Sequence, residues 1–524
     1  MNHQASITTL LNGNTEPHLI TGHTPPLTGN LWLVIGAFLL VRLIFALLLG
    51  PGYDEAYYHS YSLRPSLSYY DHPPLVAFFA GLFPKLTGVH NQFTIRLGVV
   101  LLFTVSNYFY ARLARLFLDE KETIFSLVLL NSLPIFLACA GVMVLPDGPM
   151  SFFWILSLFM FWKMLHQPYR TAYWIIAGLF CGLAMLGKYH GVGLIGLFFG
   201  YLLLYRRDLL LRPGPYLLIG FAILAFSPVI IWNWQNSFTS FLYQGQKAIG
   251  TQLSIDDFFE SLGGQALYLT PFFFFQAFYV IAASFRSGFP GGDQRYRFFL
   301  FFGSVPVLFF IFVSLFREVL PHWTLAGFII LMIPLAHLVA RQWSQSQGWR
   351  NFYKISLTIT AALYLILVGH ARFGILHLHH FEQKGWLPKG VALEDTTLDT
   401  YGWQTLDDYL KNNELNPEDY FLFTAKWYMS GEVELATEGR FEVFCFSKTK
   451  ANAYQFWAEG VDLKGKNGLF ITTDRHFTSP RKKYPDYFET IEGPEVIEVF
   501  RGGVVSKQIF VYRCSNLLKN YQYR

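Results

Sequence analysis

Apolar runs of about 20 residues, the length an α-helix needs to cross a hydrocarbon core, recur along the first 370 positions. They predict about eleven membrane-spanning helices, near 31–50, 94–117, 123–142, 148–166, 172–187, 190–205, 216–234, 266–286, 297–316, 321–340 and 353–370. The fifth and sixth runs are short. Joined as one helix they would extend about 50 Å, well beyond a core of about 30 Å. Gly187-Lys188-Tyr189-His190-Gly191 between them supplies glycines and a charge, which predicts a hairpin.

The pattern changes after residue 370. Short runs such as Tyr420–Thr424, Phe441–Phe446, Gly468–Thr473 and Gln508–Tyr512 alternate with polar, Gly- and Pro-containing turns and read as strands. The expected fold is an α-helical polytopic membrane protein with a C-terminal extracytoplasmic α/β domain. Its parts are a tail over 1–30, a membrane domain over 31–370 with a long outer loop at 51–93, and a soluble domain over 371–524. The tail is polar and has no basic residues before the first apolar run, so it does not read as a cleavable signal peptide.

Charge then orients the helices. Alternate connections hold Arg112, Arg115 and Lys121; Lys163 and Arg170; Arg206, Arg207 and Arg212; Arg286, Arg295 and Arg297; and Arg341, Arg350 and Lys354. The intervening loops hold mainly Arg64, Lys85, Lys188, Lys247 and Arg317. Basic loops stay in the cytoplasm, so the N-terminus is expected inside and the region after about 371 outside. Composition agrees: 14% of the 524 residues are charged, against about 25% in soluble proteins, and 54 Phe and 30 Tyr suit lipid-facing and interfacial positions. With a net charge of +5 and no basic run interleaved with aromatics, no nucleic-acid partner is expected. The four cysteines lack metal-ligand spacing, and an extracytoplasmic location leaves open a disulfide between Cys445 and Cys514.

The outer loops collect the unusual polar residues. The first begins Gly52-Tyr53-Asp54-Glu55-Ala56-Tyr57-Tyr58, continues to Tyr70-Asp71-His72-Pro73-Pro74, and ends in the amphipathic stretch Leu75–Leu86. Asp54 and Glu55 are open to two readings: carboxylates tuned as a base, or charges solvating a helix end. Asp147, in Pro146-Asp147-Gly148-Pro149, is open to a helix cap or a site residue. Lys188, in a very short outer turn, runs against the charge bias and suits an anionic ligand such as a phosphate. Arg317 reads equally as a snorkelling anchor or a second phosphate clamp. Gln265, Tyr268 and Asn233 are candidates for a polar cavity or for helix ends, and Arg42 is expected to face the bundle interior and pair there.

These segments resemble glycosyltransferase family 39, the dolichyl-phosphate-mannose–protein mannosyltransferases and, more distantly, the lipid A aminoarabinose transferases. The motifs are Asp54-Glu55-Ala56-Tyr57-Tyr58, Tyr70-Asp71-His72-Pro73-Pro74, Pro146-Asp147-Gly148-Pro149, Gly182–Tyr189 and Ser227–Asn233, with weaker matches at Tyr401-Gly402-Trp403 and Asn452–Trp457. The resemblance implies a GT-C architecture in a bacterial inner membrane, with the soluble domain in the periplasm. It implies a polyprenyl-phosphate sugar donor, a glycolipid or protein acceptor, and an inverting transfer with neither nucleotide nor cofactor. Asp54 is implied as the base, with Glu55 beside it in the catalytic set, and Lys188 and Arg317 as cations for the donor phosphate. Tyr58, Asp71, His72, Asp147, Tyr189, His190, Gln265 and His322 are implied to bind substrate. No metal is expected. A lipid-substrate transporter and a non-catalytic receptor are the competing classes.

Overall fold

The computed structural model of the chain describes residues 26–248, 252–288, 292–388, 390–392, 394–448 and 452–523. Most of the 1–30 tail lies outside them. Among the described residues seven helices are long and apolar enough to cross a membrane: Gly29–Leu48, Gln92–Ala114, Asp147–His166, Gly214–Gln235, Gln294–Val313, Pro321–Gln345 and Gln347–Phe373. Two further candidates are bent. Glu120–Ser132 and Pro134–Val142 meet at 66°, and Ile255–Tyr268 and Thr270–Gly288 meet at 108°.

Both bends sit where a proline follows. The ring of a proline disfavours the helical conformation of the residue before it. Leu133, before Pro134, is extended, and Thr270, before Pro271, has φ +59°. Hydropathy had read 123–142 and 266–286 as single straight spans, because it registers polarity and not backbone conformation. The expected hairpin is interrupted as foreseen: Thr171–Gly187 ends, Lys188 is extended, and a short 3₁₀ turn leads into Gly193–Tyr205. A Cβ on Gly191 would lie 2.5 Å from the Met185 nitrogen, so the turn folds back on the helix it leaves.

The chain forms two compact units, and their boundary does not fall at 370. One comprises the described residues up to Leu43, His72–Val76 and Val99–Ala362. The other comprises Ile44–Asp71, Ala77–Gly98 and Leu363–Arg524, so most of the first loop groups with the soluble region.

In the first unit Arg42 is fully buried, as expected of an intramembrane charge. Its partners are neutral, the Asn131 side-chain oxygen and Thr104 Oγ1 at 3.0 Å, with the Phe103 ring 5.3 Å from its guanidinium carbon.

The second unit is built on a five-stranded sheet, ordered β2-β1-β3-β5-β4, from β1 (Tyr420–Thr424), β2 (Val443–Cys445), β3 (Asn467–Thr473), β4 (Phe488–Arg501) and β5 (Val504–Leu517). β1 runs parallel to β2 and β3, and β5 runs antiparallel to β3 and β4. Phe421, Phe423, Phe444, Phe446, Phe470 and Phe488 form its core with Tyr484 and Tyr512. Cys445 and Cys514 are buried, free thiols on strands separated by two others in the sheet, so they form no disulfide. Helix Trp427–Ala436 packs on helix Tyr53–Ser62 of the first loop, where a Cβ on Gly431 would come within 2.8 Å of the Tyr57 nitrogen. Two hydrogen bonds complete that junction: the Ala453 N–H donates to Tyr57 Oη (2.8 Å), and Ser60 Oγ lies 2.7 Å from Tyr454 Oη.

Candidate active site

Helix Tyr53–Ser62 starts immediately after Gly50-Pro51-Gly52, and its N-terminus is held by Glu55. The Gly52 N–H donates to Glu55 Oε2 at 2.8 Å, which satisfies one orphan donor of the first turn. The same carboxylate receives Arg96 Nε at 2.7 Å and Arg96 Nη2 at 2.5 Å. Arg96 also donates to the carbonyls of Leu49 (2.6 Å), Gly50 (2.7 Å) and Ala46 (3.3 Å), at the C-terminal end of the first span. Both side chains are buried (2% and 0% exposed).

The carboxylate expected in the catalytic set is therefore a structural anchor. Its charge is matched by a fork of donors, and it has no access to solvent. Arg96 is absent from the sequence-derived candidates, although a charge inside an apolar run was its signal.

Asp54 is exposed, one position along on the same helix. Tyr53, on its other side, has its ring 4.6 Å from Tyr428 and 6.0 Å from His476. Tyr58 is buried among Tyr57 and Tyr61. Asp71 is held by hydroxyls of the same helix, Tyr57 Oη at 3.4 Å and Tyr61 Oη. The first loop thus presents one carboxylate at the surface and ties two others into its frame.

Two further features of this unit carry no signal in the sequence. His59 Nε2 lies 2.8 Å from His90 Nδ1, and burial pushes the His59 imidazole down to about 3, with His90 and Arg64 adding to the effect. Glu432, on the helix packed against Tyr53–Ser62, is 1% exposed, and neither carboxylate oxygen has a hydrogen-bond partner among the described residues. Burial holds its carboxyl well above the usual range, with the charges of Glu55 and Asp399 in the same direction and Lys507 opposing. The Lys507 ammonium, itself buried, is lowered to about 8 and donates to the Leu398 and Tyr401 carbonyls.

In the first unit the positioning device is a close helix contact. Gly187 ends its helix against the start of Asp147–His166, where a Cβ would lie 2.5 Å from the Met150 nitrogen, so only glycine lets the next residue approach. That residue is Lys188, and its ammonium donates to both Asp147 oxygens at 2.9 Å. Asp147 makes no side-chain cap bond; the capping reading gives way to an ion pair, favoured also by the helix N-terminus. His322 Nε2 lies 3.8 Å from Asp147 Oδ2. The next residue, Trp323, contacts the His190 ring at 5.0 Å and lies under the Arg317 guanidinium at 5.3 Å. His72 interacts electrostatically with His190.

Asp147, Lys188, His190, His322, Arg317 and His72 therefore gather in one unit. Gln265 is fully buried beside them, one residue after Gly264, whose Cβ would meet Pro321 at 2.3 Å; it donates to Ser261 Oγ (3.2 Å), and its Oε1 has no partner among the described residues. Tyr189 turns instead to Ser240, and Asn233 is structural, accepting from the Phe241 N–H at 3.1 Å. Asp54, Glu55, Tyr58 and Asp71 belong to the other unit. Among the described residues no three His, Cys, Asp or Glu side chains are grouped to hold a metal ion.

The fold is that of a multi-pass membrane protein, with seven to nine helices among the described residues long and apolar enough to cross a bilayer. The family resemblance holds for a defined segment: residues 71–232 match the family model described as dolichyl-phosphate-mannose-protein mannosyltransferase. The match takes in Asp71, His72, Asp147 and Lys188 and begins after Asp54. Among solved structures the chain is similar to ArnT from Cupriavidus metallidurans bound to undecaprenyl phosphate, with TM-score 0.62 and 15% identity over 93% of this chain and 98% of that one. The apo state of the same protein gives 0.60 and 15%, over 92% and 97%. At that identity the likeness is one of fold. No curated protein matches the chain by sequence.

Proposed function

We propose that the chain is a membrane glycosyltransferase that moves a monosaccharide from a polyprenyl-phosphate donor to an envelope acceptor, lipid A or lipopolysaccharide core or another glycolipid. The reaction takes place on the periplasmic face of the inner membrane, with the N-terminus in the cytoplasm. The observation that carries this reading is the contrast between neighbouring acids: Glu55 is locked by Arg96, and Asp54 is held out by the helix that the lock fixes.

In the proposed step the acceptor hydroxyl gives its proton to Asp54 and its oxygen attacks the anomeric carbon from the face opposite the phosphate. The sugar–oxygen bond breaks, the phosphate leaves with the electron pair, and the configuration inverts. A leaving phosphate needs charge stabilisation more than a proton, and Lys188 is assigned to it, with Arg317 as a second cation. Lys188 uses two hydrogen bonds on Asp147, and His322 and His190 supply polar side chains beside that pair. The similar fold bound to undecaprenyl phosphate supports a lipid-phosphate carrier. The family description favours a second reading, a protein acceptor.

The test is Asp54→Asn in reconstituted vesicles with polyprenyl-phosphate sugars. A base of this kind contributes roughly 10²–10⁴-fold, so transfer should fall by that range with the fold intact. Full transfer in the variant removes the mechanism. Mass spectrometry of envelope glycolipids and proteins, with and without the active chain, separates the two acceptors and a transporter, which would leave both unmodified.

A further inference from the structure

The hairpin that closes the soluble sheet changes polarity along its length. β4 is exposed over most of its course and carries Glu489, Glu492, Glu495 and Glu498 on its surface. Its tip differs. Phe500 and Val504 are 58% and 46% exposed, and the nearest basic side chains, Arg501 and Lys507, are buried (5% and 4%). The turn between them, Gly502-Gly503, thus exposes apolar side chains and no charge.

The depth of this tip is set by the last span. Helix Gln347–Phe373 has 27 residues, about 40 Å, which exceeds a hydrocarbon core of about 30 Å and brings its final turn to the headgroup boundary. Arg501 donates to the Ala371 carbonyl on that turn at 3.4 Å. Gly502, at φ +63°, lies so close that a Cβ would be 3.0 Å from the Phe373 carbonyl oxygen. The same Arg501 binds Asp395 and donates to Thr397 Oγ1 at 2.8 Å, which clamps the hairpin to the end of the span.

Exposed apolar side chains lie on both sides of this contact. Leu365 and Leu367 on the span, Phe373 at its end and Leu376 just beyond are all exposed. Trp386, 68% exposed, stands nearby in sequence with Lys384 over its ring, the amphipathic pairing common at membrane interfaces.

We infer that the 500–504 tip is seated in the phospholipid bilayer, at the boundary of headgroups and acyl chains, and fixes the soluble unit at a set depth. A lipid occupant is favoured over a protein because the tip is bound to the end of a membrane span whose exposed side chains, Leu365, Leu367 and Phe373, are apolar. Farther along β4, the glutamates keep the rest of the strand in water. This does not rest on the catalytic reading.

The test uses the full chain in phosphatidylcholine–phosphatidylglycerol vesicles, with spin labels on Val504→Cys, Phe500→Cys and, as a control, Glu492→Cys. The four native cysteines are buried and need not be removed. Collision rates with oxygen, which partitions into lipid, and with a nickel chelate, which stays in water, should give ratios at 500 and 504 several-fold higher than at 492. Equal ratios at all three positions overturn the inference, and so does exclusion of both reagents, which would mean a protein cover. As a second measurement, Phe500→Trp should be quenched by brominated phospholipid in excess of the native tryptophans; no added quenching also overturns it.

Discussion

Lys188 and Asp147, 41 residues apart in the chain, meet through two hydrogen bonds of 2.9 Å with 7% and 2% of their side chains exposed. The pair is both a structural unit and the centre of a polar cluster with His190 and His322, and the two roles are separable.

Removing one partner of a buried ion pair strands the other charge, at about 3–5 kcal/mol, whereas neutralising both is far milder. Lys188→Met and Asp147→Asn should each lower thermal stability by that order, and the double variant should recover most of it. Sugar transfer should stay lost in all three. A double variant no more stable than the singles contradicts the ion-pair account.

Glu55 and Asp54 should behave oppositely. Glu55→Gln breaks the pair with Arg96 and should destabilise by about 3–5 kcal/mol while leaving transfer per folded molecule largely intact. Asp54→Asn should do the reverse. Denaturation midpoints and turnover of the folded fraction, measured side by side, give the answer.

The His59–His90 contact predicts acid sensitivity. His59 is lowered to about 3 from 6.5 by burial, so the folded chain excludes a proton that the unfolded chain binds. Stability from this group is fully present above pH 6.5 and is lost as pH falls towards 3, by about 1.4 kcal/mol per unit. His59→Gln should flatten the stability profile between pH 6 and 4.

Glu432 has the opposite sign. Its carboxyl is raised well above the usual range, so the folded chain keeps a proton that the unfolded chain releases above about pH 4.5. Stability therefore falls as pH rises from 4.5 towards the folded value. Glu432→Gln carries no such proton and should be more stable than the parent at pH 7, with the two curves converging near pH 4; denaturation at several pH values would expose a failure.

What the sequence disclosed follows from what each pattern can encode. The spans at 29–48, 92–114 and 147–166 were legible because crossing a bilayer demands a length and a polarity, and both are written in the residues. The bends at Leu133 and Thr270 were not, although Pro134 and Pro271 mark them, because hydropathy averages over the positions where one φ or ψ decides the path. β4 was missed for a related reason. As an edge strand exposed along most of its length it has no apolar alternation, and its glutamates guard it against pairing with other chains. Lys188 stood out against the charge bias of its loop, whereas its tie to Asp147 required knowing that Gly187 and Met150 touch. Arg96 was hidden inside an apolar run, and without it Glu55 and Asp54 look equivalent.

The bond from Ala453 to Tyr57 spans 396 residues. At about 5–20 residues per second, synthesis places roughly 20–80 s between the emergence of the two. Helix Tyr53–Ser62 is therefore made early and must wait, its tyrosines uncovered, for segments that arrive nearly last. A nascent chain halted near residue 400 should leave that loop open to protease, and one released at full length should close it, which makes completion of the C-terminal domain the checkpoint for the loop that bears Asp54.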